Sequence, residues 1–192
     1  MKDIISKDLM VKDLMVPLSE YATVPKGATL YEAVLALEKA QEEFEQAKYI
    51  HRAVLILDND NRVIGKLSQL DVLRAMNPEN ESANKIDDIK RFGFSEGFIN
   101  TMQEVHRFKD AHLEDICSTA MGANVVDYMQ APSEGEYVEE NTSLEAAIHQ
   151  LVKGLHLSLL VTRSEKIVGI LRMSDVFAAV FHIMKEIKKN EY

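Results

Sequence analysis

One phrase of the sequence occurs twice and limits the possible folds more than any other feature. Residues 65–73 read GKLSQLDVL, and residues 169–177 read GILRMSDVF. Each phrase begins with glycine, carries aspartate six places later, and lies between an apolar run and a helix-like stretch. Because internal self-similarity is the signature of a repeated structural unit, the chain is predicted to contain one unit twice.

The similarity between the two copies extends upstream of this phrase. VKDLM at 11–15 matches VVDYM at 125–129, and the same offset of 114 pairs Thr29 with Ser143. The glycines pair at an offset of 104 (169 minus 65), so the first copy holds ten extra residues. We predict them in the polar stretch 38–49, where added helical turns leave the core undisturbed.

Each copy predicts the same order of secondary structure. A short extended piece precedes a helix, for which Thr29 and Glu32 fit a capping box and Ser143 fits an N-cap. Two apolar runs joined by polar residues then indicate a β-hairpin, and a second helix follows. The order β-α-β-β-α, written twice, predicts an α/β fold with amphipathic helices between the copies.

Composition excludes several classes of protein. The 192 residues have a net charge of -9, which argues against a nucleic-acid binder with a basic face. Cys117 is the single cysteine, so neither a disulfide framework nor a cysteine-built metal site is expected. No apolar run reaches membrane-spanning length, and the charged N-terminus does not fit a signal peptide. We predict a cytoplasmic protein that binds neither nucleic acid nor membrane.

The sequence carries no motif that calls for catalysis. A phosphate loop, a GxSxG elbow and an HExxH helix are all missing. His106 and Asp110 share a helical face, but His112 and Cys117 do not fall on it, so no metal site is predicted. The expectation is a protein that is not an enzyme and that needs no cofactor.

The two units together resemble a tandem pair of CBS domains, a family named after cystathionine beta-synthase and also called a Bateman module. The resemblance rests on VKDLM…TVPKGATLYEAV…GKLSQLDVL in the first unit and VVDYM…YVEENTSLEAAI…GILRMSDVF in the second. It implies two β-α-β-β-α repeats packed with pseudo-two-fold symmetry, at 8–77 and 122–189, with a helical insert at 78–121. Family members bind AMP, ADP, ATP or S-adenosylmethionine in clefts between paired domains, act as regulators, and often form dimers.

The resemblance assigns ligand-binding roles in the first copy. Asp71 corresponds to the aspartate that holds the ribose hydroxyls, although an aspartate there also fits a helix cap with Ser68. The pair His51-Arg52 is similar to the phosphate-facing pair of AMP-activated protein kinase gamma subunits. Lys66 either adds charge near the phosphate or points to solvent. The remaining predicted contacts line an adenine slot: Thr23, Val24, Ala53 and Val54.

The second copy differs in chemistry. Arg172 replaces the hydroxyl of Ser68, and it is either a bidentate phosphate donor or a side chain that pairs with a carboxylate and closes the site. The other predicted contacts of this copy are Tyr137, Val138, Ser158, Leu159, Ser174 and Asp175. We therefore expect the first copy to hold the better nucleotide site.

Two hypotheses of function follow. The first is a sensor that binds an adenosine nucleotide and signals to a separate regulated protein. The second is a structural or interaction module whose ligand sites have degenerated. Under either one, the apolar C-terminal helix predicts a homodimer, because Phe177, Phe181 and Met184 exceed what one small domain can bury.

Overall fold

The computed structural model describes residues 9–43, 52–76 and 112–190. Five α-helices lie in these ranges, namely α1 (Leu30–Glu43), α2 (Gln69–Ala75), α3 (Leu113–Met121), α4 (Leu144–Gly154) and α5 (Met173–Asn190). The strands are β1 (Val16–Pro17), β2 (Thr23–Pro25), β3 (Ala53–Leu57), β4 (Val63–Ser68), β5 (Tyr137–Glu139), β6 (Ser158–Arg163) and β7 (Lys166–Arg172). Most of the predicted helical insert at 78–121 lies outside the described residues, and α3 falls at its end.

The strands form two sheets with the same internal order. In the first sheet β2 pairs parallel to β3, and β3 pairs antiparallel to β4. In the second sheet β5 pairs parallel to β6, β6 pairs antiparallel to β7, and β1 adds to the free edge of β7. Both predicted hairpins and the doubled β-α-β-β-α order are confirmed.

Helix caps fix where the first helix of each repeat begins. The Thr29 backbone amide donates to Glu32 Oε2 at 2.7 Å, and the Glu32 amide donates to Thr29 Oγ1 at 3.2 Å. The Ala146 amide donates to Ser143 Oγ at 3.3 Å. Each cap satisfies a backbone donor that has no partner inside the helix, so the predicted capping box and N-cap are confirmed.

The N-terminal segment of each repeat packs on the other repeat. Val125, which starts the second copy, is fully buried in the core formed by β2, β3 and α1. Val11 is fully buried in the core of the second repeat. Backbone bridges join Thr29 to Asn124 and Met10 to Ser143, which are equivalent pairs with the roles of the repeats exchanged. This reciprocal exchange makes the pseudo-two-fold pairing of the repeats part of each hydrophobic core.

Strand register locates the ten extra residues more closely than the sequence does. Thr23 and Tyr137 occupy equivalent places, as do Leu55 and Leu160, so the offset falls from 114 to 105 between β2 and β3. The offset between Gly65 and Gly169 is 104. Nine of the extra residues therefore lie between β2 and β3, an interval that includes the predicted stretch 38–49. The tenth lies in the turn between β3 and β4, outside that stretch, so the prediction was wrong for this residue.

The glycine that opens each repeated phrase is required by this exchange of segments. A β-carbon added at Gly169 would lie 2.5 Å from the backbone oxygen of Val16, on the strand that pairs with β7. A β-carbon added at Gly65 would collide with the side chain of Met129. Both glycines thus permit the close approach of the other repeat's N-terminal segment.

Candidate functional site

Two polar corners lie where a strand ends against the start of a helix, one in each repeat. Leu55, Leu160, Ile170 and Tyr21 form an apolar cluster between the two sheets. Ser68 ends β4 and leads into α2, whereas Arg172 ends β7 and leads into α5. We name these corners the Asp71 site and the Asp175 site, after the aspartate in the first turn of each helix.

At the Asp71 site the carboxylate is held in a capping box. Asp71 Oδ2 accepts hydrogen bonds from the Ser68 amide at 2.8 Å and from the Ser68 hydroxyl at 2.5 Å. Asp71 Oδ1 accepts from Gln130 Nε2 at 2.6 Å and from Arg74 Nη1 at 3.0 Å. One oxygen is therefore committed to the backbone turn, and the other is held by two side chains that can rotate away.

The charge of Asp71 is stabilised although the residue is only 2% exposed. Burial alone would raise the pKa of Asp71, but hydrogen bonds from Ser68 and Gln130, together with the charge of Arg74, outweigh it and lower that pKa. Asp71 is consequently an ionised acceptor in a largely water-excluded corner, which suits recognition of hydroxyl donors.

Lys66 brings a positive charge into the same region from the interior of β4. Its Nζ donates to Ser158 Oγ at 3.3 Å and lies 3.8 Å from Glu136 Oε2. The Lys66 side chain is only 14% exposed, so it points into the seam between the repeats and not into solvent. His156 Nδ1 lies 3.7 Å from the other oxygen of Glu136. Ser158, predicted in the second cleft, therefore contacts a residue of the first repeat.

At the Asp175 site an arginine forms an ion pair with the carboxylate. Arg172 Nε donates to Asp175 Oδ2 at 2.5 Å, and Nη2 donates to Asp175 Oδ1 at 2.6 Å. Both side chains are 13% exposed. Of the two roles left open by the sequence, the structure has Arg172 paired with its own carboxylate in a bidentate geometry.

Tyr21 adds bulk to the Asp175 site. The residue is 7% exposed, and burial raises the pKa of its hydroxyl to about 12. The charge of Arg172 lowers that pKa and the charge of Asp175 raises it, but burial has the largest effect. Tyr21 packs in one cluster with Ile170, which lies two residues before Arg172 on β7. The turn just before Tyr21 also packs against β7. The second corner is thus crowded by side chains of both repeats.

Strand register shows that the two sites differ at six equivalent positions near the aspartate. Gln130 and Val16 are equivalent, because they bridge to Lys66 and Ile170 in the same way. The other pairs, each given as the residue near Asp71 and then its counterpart, are Ser68 and Arg172, Lys66 and Ile170, Glu136 and Ala22, Gly135 and Tyr21, and Ser158 and Ala53. At these positions the Asp71 site is the more polar and has no counterpart of the tyrosine ring, whereas the Asp175 site has Ile170, Val16, Ala22 and Ala53 beside its ion pair.

The remaining predicted contacts are distributed between core and surface. Val24, Ala53, Val54, Val138 and Leu159 are buried, as core packing requires. Thr23 and Ser174 are half-buried, and Tyr137 and Arg52 are exposed. His51 lies outside the described residues.

Sequence reasoning missed three residues that the structure places at these sites. Gln130 and Glu136 belong to the segment that enters the second repeat, yet they contact Asp71 and Lys66 of the first. Tyr21 of the first repeat packs with Ile170, two residues before Arg172 on β7. Nothing in local spacing signals these contacts, because the exchange of N-terminal segments creates them.

Within the three described ranges, no group of three His, Cys, Asp or Glu side chains is placed to hold a metal ion. Among the described helices, none combines the length and apolar character needed to cross a membrane.

A family model described as the CBS domain matches residues 7–78 and again residues 114–182. The chain belongs to the CBS-domain family. The two matches cover both repeats and both polar corners, so GKLSQLDVL and GILRMSDVF are the strand-to-helix corners of two CBS domains.

Solved structures show the same tandem CBS fold. A CBS domain-containing protein of unknown function from Bacillus anthracis is 16% identical with a TM-score of 0.60, over 95% of this chain and 99% of that one. CBSX2 from Arabidopsis thaliana, solved in complex with AMP, is 19% identical with a TM-score of 0.56, over 91% and 98%. The cytosolic domain of the Mg²⁺ channel MgtE, in complex with ATP, is 19% identical with a TM-score of 0.54, over 91% and 50%. The comparison with curated proteins gives no match.

Proposed function

We propose that this CBS pair is a regulatory module that binds one adenosine nucleotide per chain, AMP, ADP or ATP, at the Asp71 site. The observation that carries the proposal is the ionised, 2% exposed carboxylate of Asp71, whose Oδ1 is held by side chains and not by the backbone. A carboxylate is an acceptor matched to the two hydroxyls of ribose. The AMP complex of CBSX2 and the ATP complex of the MgtE domain support the choice of ligand class.

The neighbouring polar residues favour a phosphate over an uncharged group beside the ribose. Lys66 contributes an ammonium and Ser158 a hydroxyl on the face shared by the repeats. Arg52 is exposed and immediately precedes β3. Its backbone oxygen accepts a hydrogen bond from the amide of Gln69, at the start of α2. In this proposal Arg52, with His51, contacts the phosphate. S-adenosylmethionine is the alternative ligand of the same adenosine class.

The Asp175 site is proposed to be closed to a nucleotide. Both carboxylate oxygens of Asp175 accept from Arg172, so a ribose would have to break a bidentate, largely buried ion pair. Tyr21 packs beside Ile170 near the same corner, whereas the Asp71 site has Gly135 at the equivalent position. In this proposal the nucleotide binds at the Asp71 site, and the Arg172–Asp175 ion pair closes the other site.

Isothermal titration calorimetry with AMP, ADP, ATP and S-adenosylmethionine tests the proposal. The expected result is saturable binding of at least one of these ligands with one site per chain. No heat of binding at millimolar ligand would contradict the nucleotide-binding role. Two equivalent sites per chain would contradict closure of the Asp175 site.

The module is further proposed to act as a homodimer in the cytoplasm, without chemistry of its own. On α5, Phe177 is 70% exposed, Phe181 50%, Met184 63% and Ile187 56%, and on α2 Leu73, the equivalent of Phe177, is 62% exposed. Apolar side chains aligned on two helices are typical of a surface that another chain covers. A ligand regulates such an assembly if it binds one arrangement of the repeats more tightly, which a regulated partner then recognises.

Replacing Phe177 and Phe181 together with glutamate is expected to convert the dimer to a monomer. The carboxylates would be buried without partners in the interface but remain solvated in the free chain. Light scattering should show twice the 21.7 kDa chain mass for the wild type and the single mass for the variant. Leu113→Glu, at a 70% exposed position on α3, is the matched control and should stay dimeric. A wild type that is monomeric at all concentrations would contradict the dimer.

The second candidate function is a structural and dimerisation module with degenerate ligand sites. The ion pair of Arg172 and Asp175 favours it, because that pair has already lost the ligand-binding geometry in one repeat. Calorimetry decides between the two candidates: an intact dimer without any adenosine ligand would favour the structural role.

A further inference from the structure

We infer that Gln130 and Glu136 occupy, in the free protein, the positions that a nucleotide takes at the Asp71 site, and that they set the affinity and the charge preference of that site. The inference rests on the proposed function. It assigns a role to two residues of the second repeat whose side chains contact functional groups of the first.

Gln130 stands where a ribose hydroxyl would donate. Its Nε2 lies 2.6 Å from Asp71 Oδ1, while Asp71 Oδ2 is fixed by the amide and hydroxyl of Ser68. Only Oδ1 is thus available to an incoming hydroxyl, and an amide N–H offers the same donor chemistry. Arg74, the other donor to Oδ1, is 61% exposed, so its pairing is weak and easily replaced.

Glu136 stands where a phosphate would meet Lys66. Its carboxylate lies 3.8 Å from Lys66 Nζ, and both side chains are largely buried, at 16% and 14% exposure. A phosphate that approaches Lys66 meets this negative charge. The repulsion grows with the number of phosphates, because more negative charge is placed near the same carboxylate.

The backbone that carries both side chains is anchored, so displacing them requires side-chain rotation only. The Gln130 amide and carbonyl each pair with the backbone of Lys66, at 2.9 and 3.0 Å. At the other end, Gln150 Nε2 donates to the carbonyls of Gly135 and Tyr137, on either side of Glu136. The Asp71 site is therefore built around replaceable side chains on a fixed frame.

The equivalent residues at the Asp175 site cannot take the place of a ribose hydroxyl or a phosphate. Val16 stands in place of Gln130, and Ala22 in place of Glu136, so neither offers a donor or a charge. The Asp175 carboxylate is instead held by Arg172 of its own repeat. Gln130 and Glu136 therefore occur together at the site that keeps the serine and a carboxylate oxygen held by side chains alone.

Calorimetric titration of adenosine, AMP and ATP into the full chain and its variants tests the inference. Gln130→Ala should tighten binding of all three ligands by a similar factor of about five, because a competing hydrogen bond to a charged group is lost. Glu136→Gln should leave adenosine unchanged, tighten AMP about threefold and tighten ATP about tenfold. Glu134→Gln, an exposed carboxylate on the same turn, is the control for net charge and should match the wild type.

The possible outcomes distinguish failure of this inference from failure of the proposed function. Wild-type binding that neither variant improves would overturn the inference alone. Equal effects of Glu136→Gln on adenosine and ATP would overturn the assignment of Glu136 to the phosphate. Binding that becomes measurable only in the variants would support both claims. No binding by any protein, including the double variant, would overturn the proposed function and this inference together.

Discussion

Asp71→Asn is expected to weaken nucleotide binding about 100-fold while the protein stays folded. The amide keeps the size of the side chain but removes the negative charge and one acceptor, so about 3 kcal/mol of charge-assisted hydrogen bonding to the ribose is lost. The dissociation constant measured by calorimetry gives this change directly. A thermal melt of the same preparation shows whether the fold is retained.

Asp175→Asn is the matched control for this prediction. The aspartate has the same place in the second repeat but is already bound by Arg172. Its replacement should leave the nucleotide dissociation constant within about twofold of the wild type. A loss of binding in Asp175→Asn equal to that in Asp71→Asn would contradict the assignment of the nucleotide to one site.

Gly169→Ala is expected to destabilise the protein by about 3 kcal/mol and to lower its Tm by about 8 °C. The added methyl group would lie 2.5 Å from the backbone oxygen of Val16 and force apart the strand that joins the repeats. Gly65→Ala meets only the side chain of Met129, which can move, so its cost should be about 1 kcal/mol. Thermal or urea unfolding of the two variants measures both effects.

Equal and small losses of stability in the two glycine variants would show that the N-terminal segments do not pack as described. The comparison is sharp because both glycines hold the same place in the repeated phrase. Only the neighbouring atom differs, backbone in one repeat and side chain in the other.

The sequence predicted the fold well because the strands and helices of each repeat follow from local patterns, and the same patterns occur in both repeats. Largely apolar runs at 53–57 and 158–162 predicted the central strands, and the capping residues Thr29 and Ser143 predicted the helix starts. These features depend on neighbours within a few residues, which spacing alone reveals. The family match and the similar solved structures agree with this prediction.

Contacts between the repeats could not be predicted in the same way. Gln130 reaches Asp71 across 59 residues of sequence, and Lys66 reaches Ser158 across 92. The first contact arises because the N-terminal segment of the second repeat packs on the first, and the second because β6 of the second repeat lies next to Lys66 of β4. No local period in the sequence records either contact. For Arg172 the sequence allowed two roles, a phosphate donor or a partner for a carboxylate. The atomic positions show the pairing with Asp175.

A crystal structure of the chain with AMP tests the central claim most directly. The account predicts one nucleotide per chain, with ribose hydroxyls within hydrogen-bonding distance of Asp71 Oδ1, the Gln130 amide rotated away, and the Arg172–Asp175 pair intact. A nucleotide bound at Asp175, or a ribose that does not contact Asp71, would contradict it.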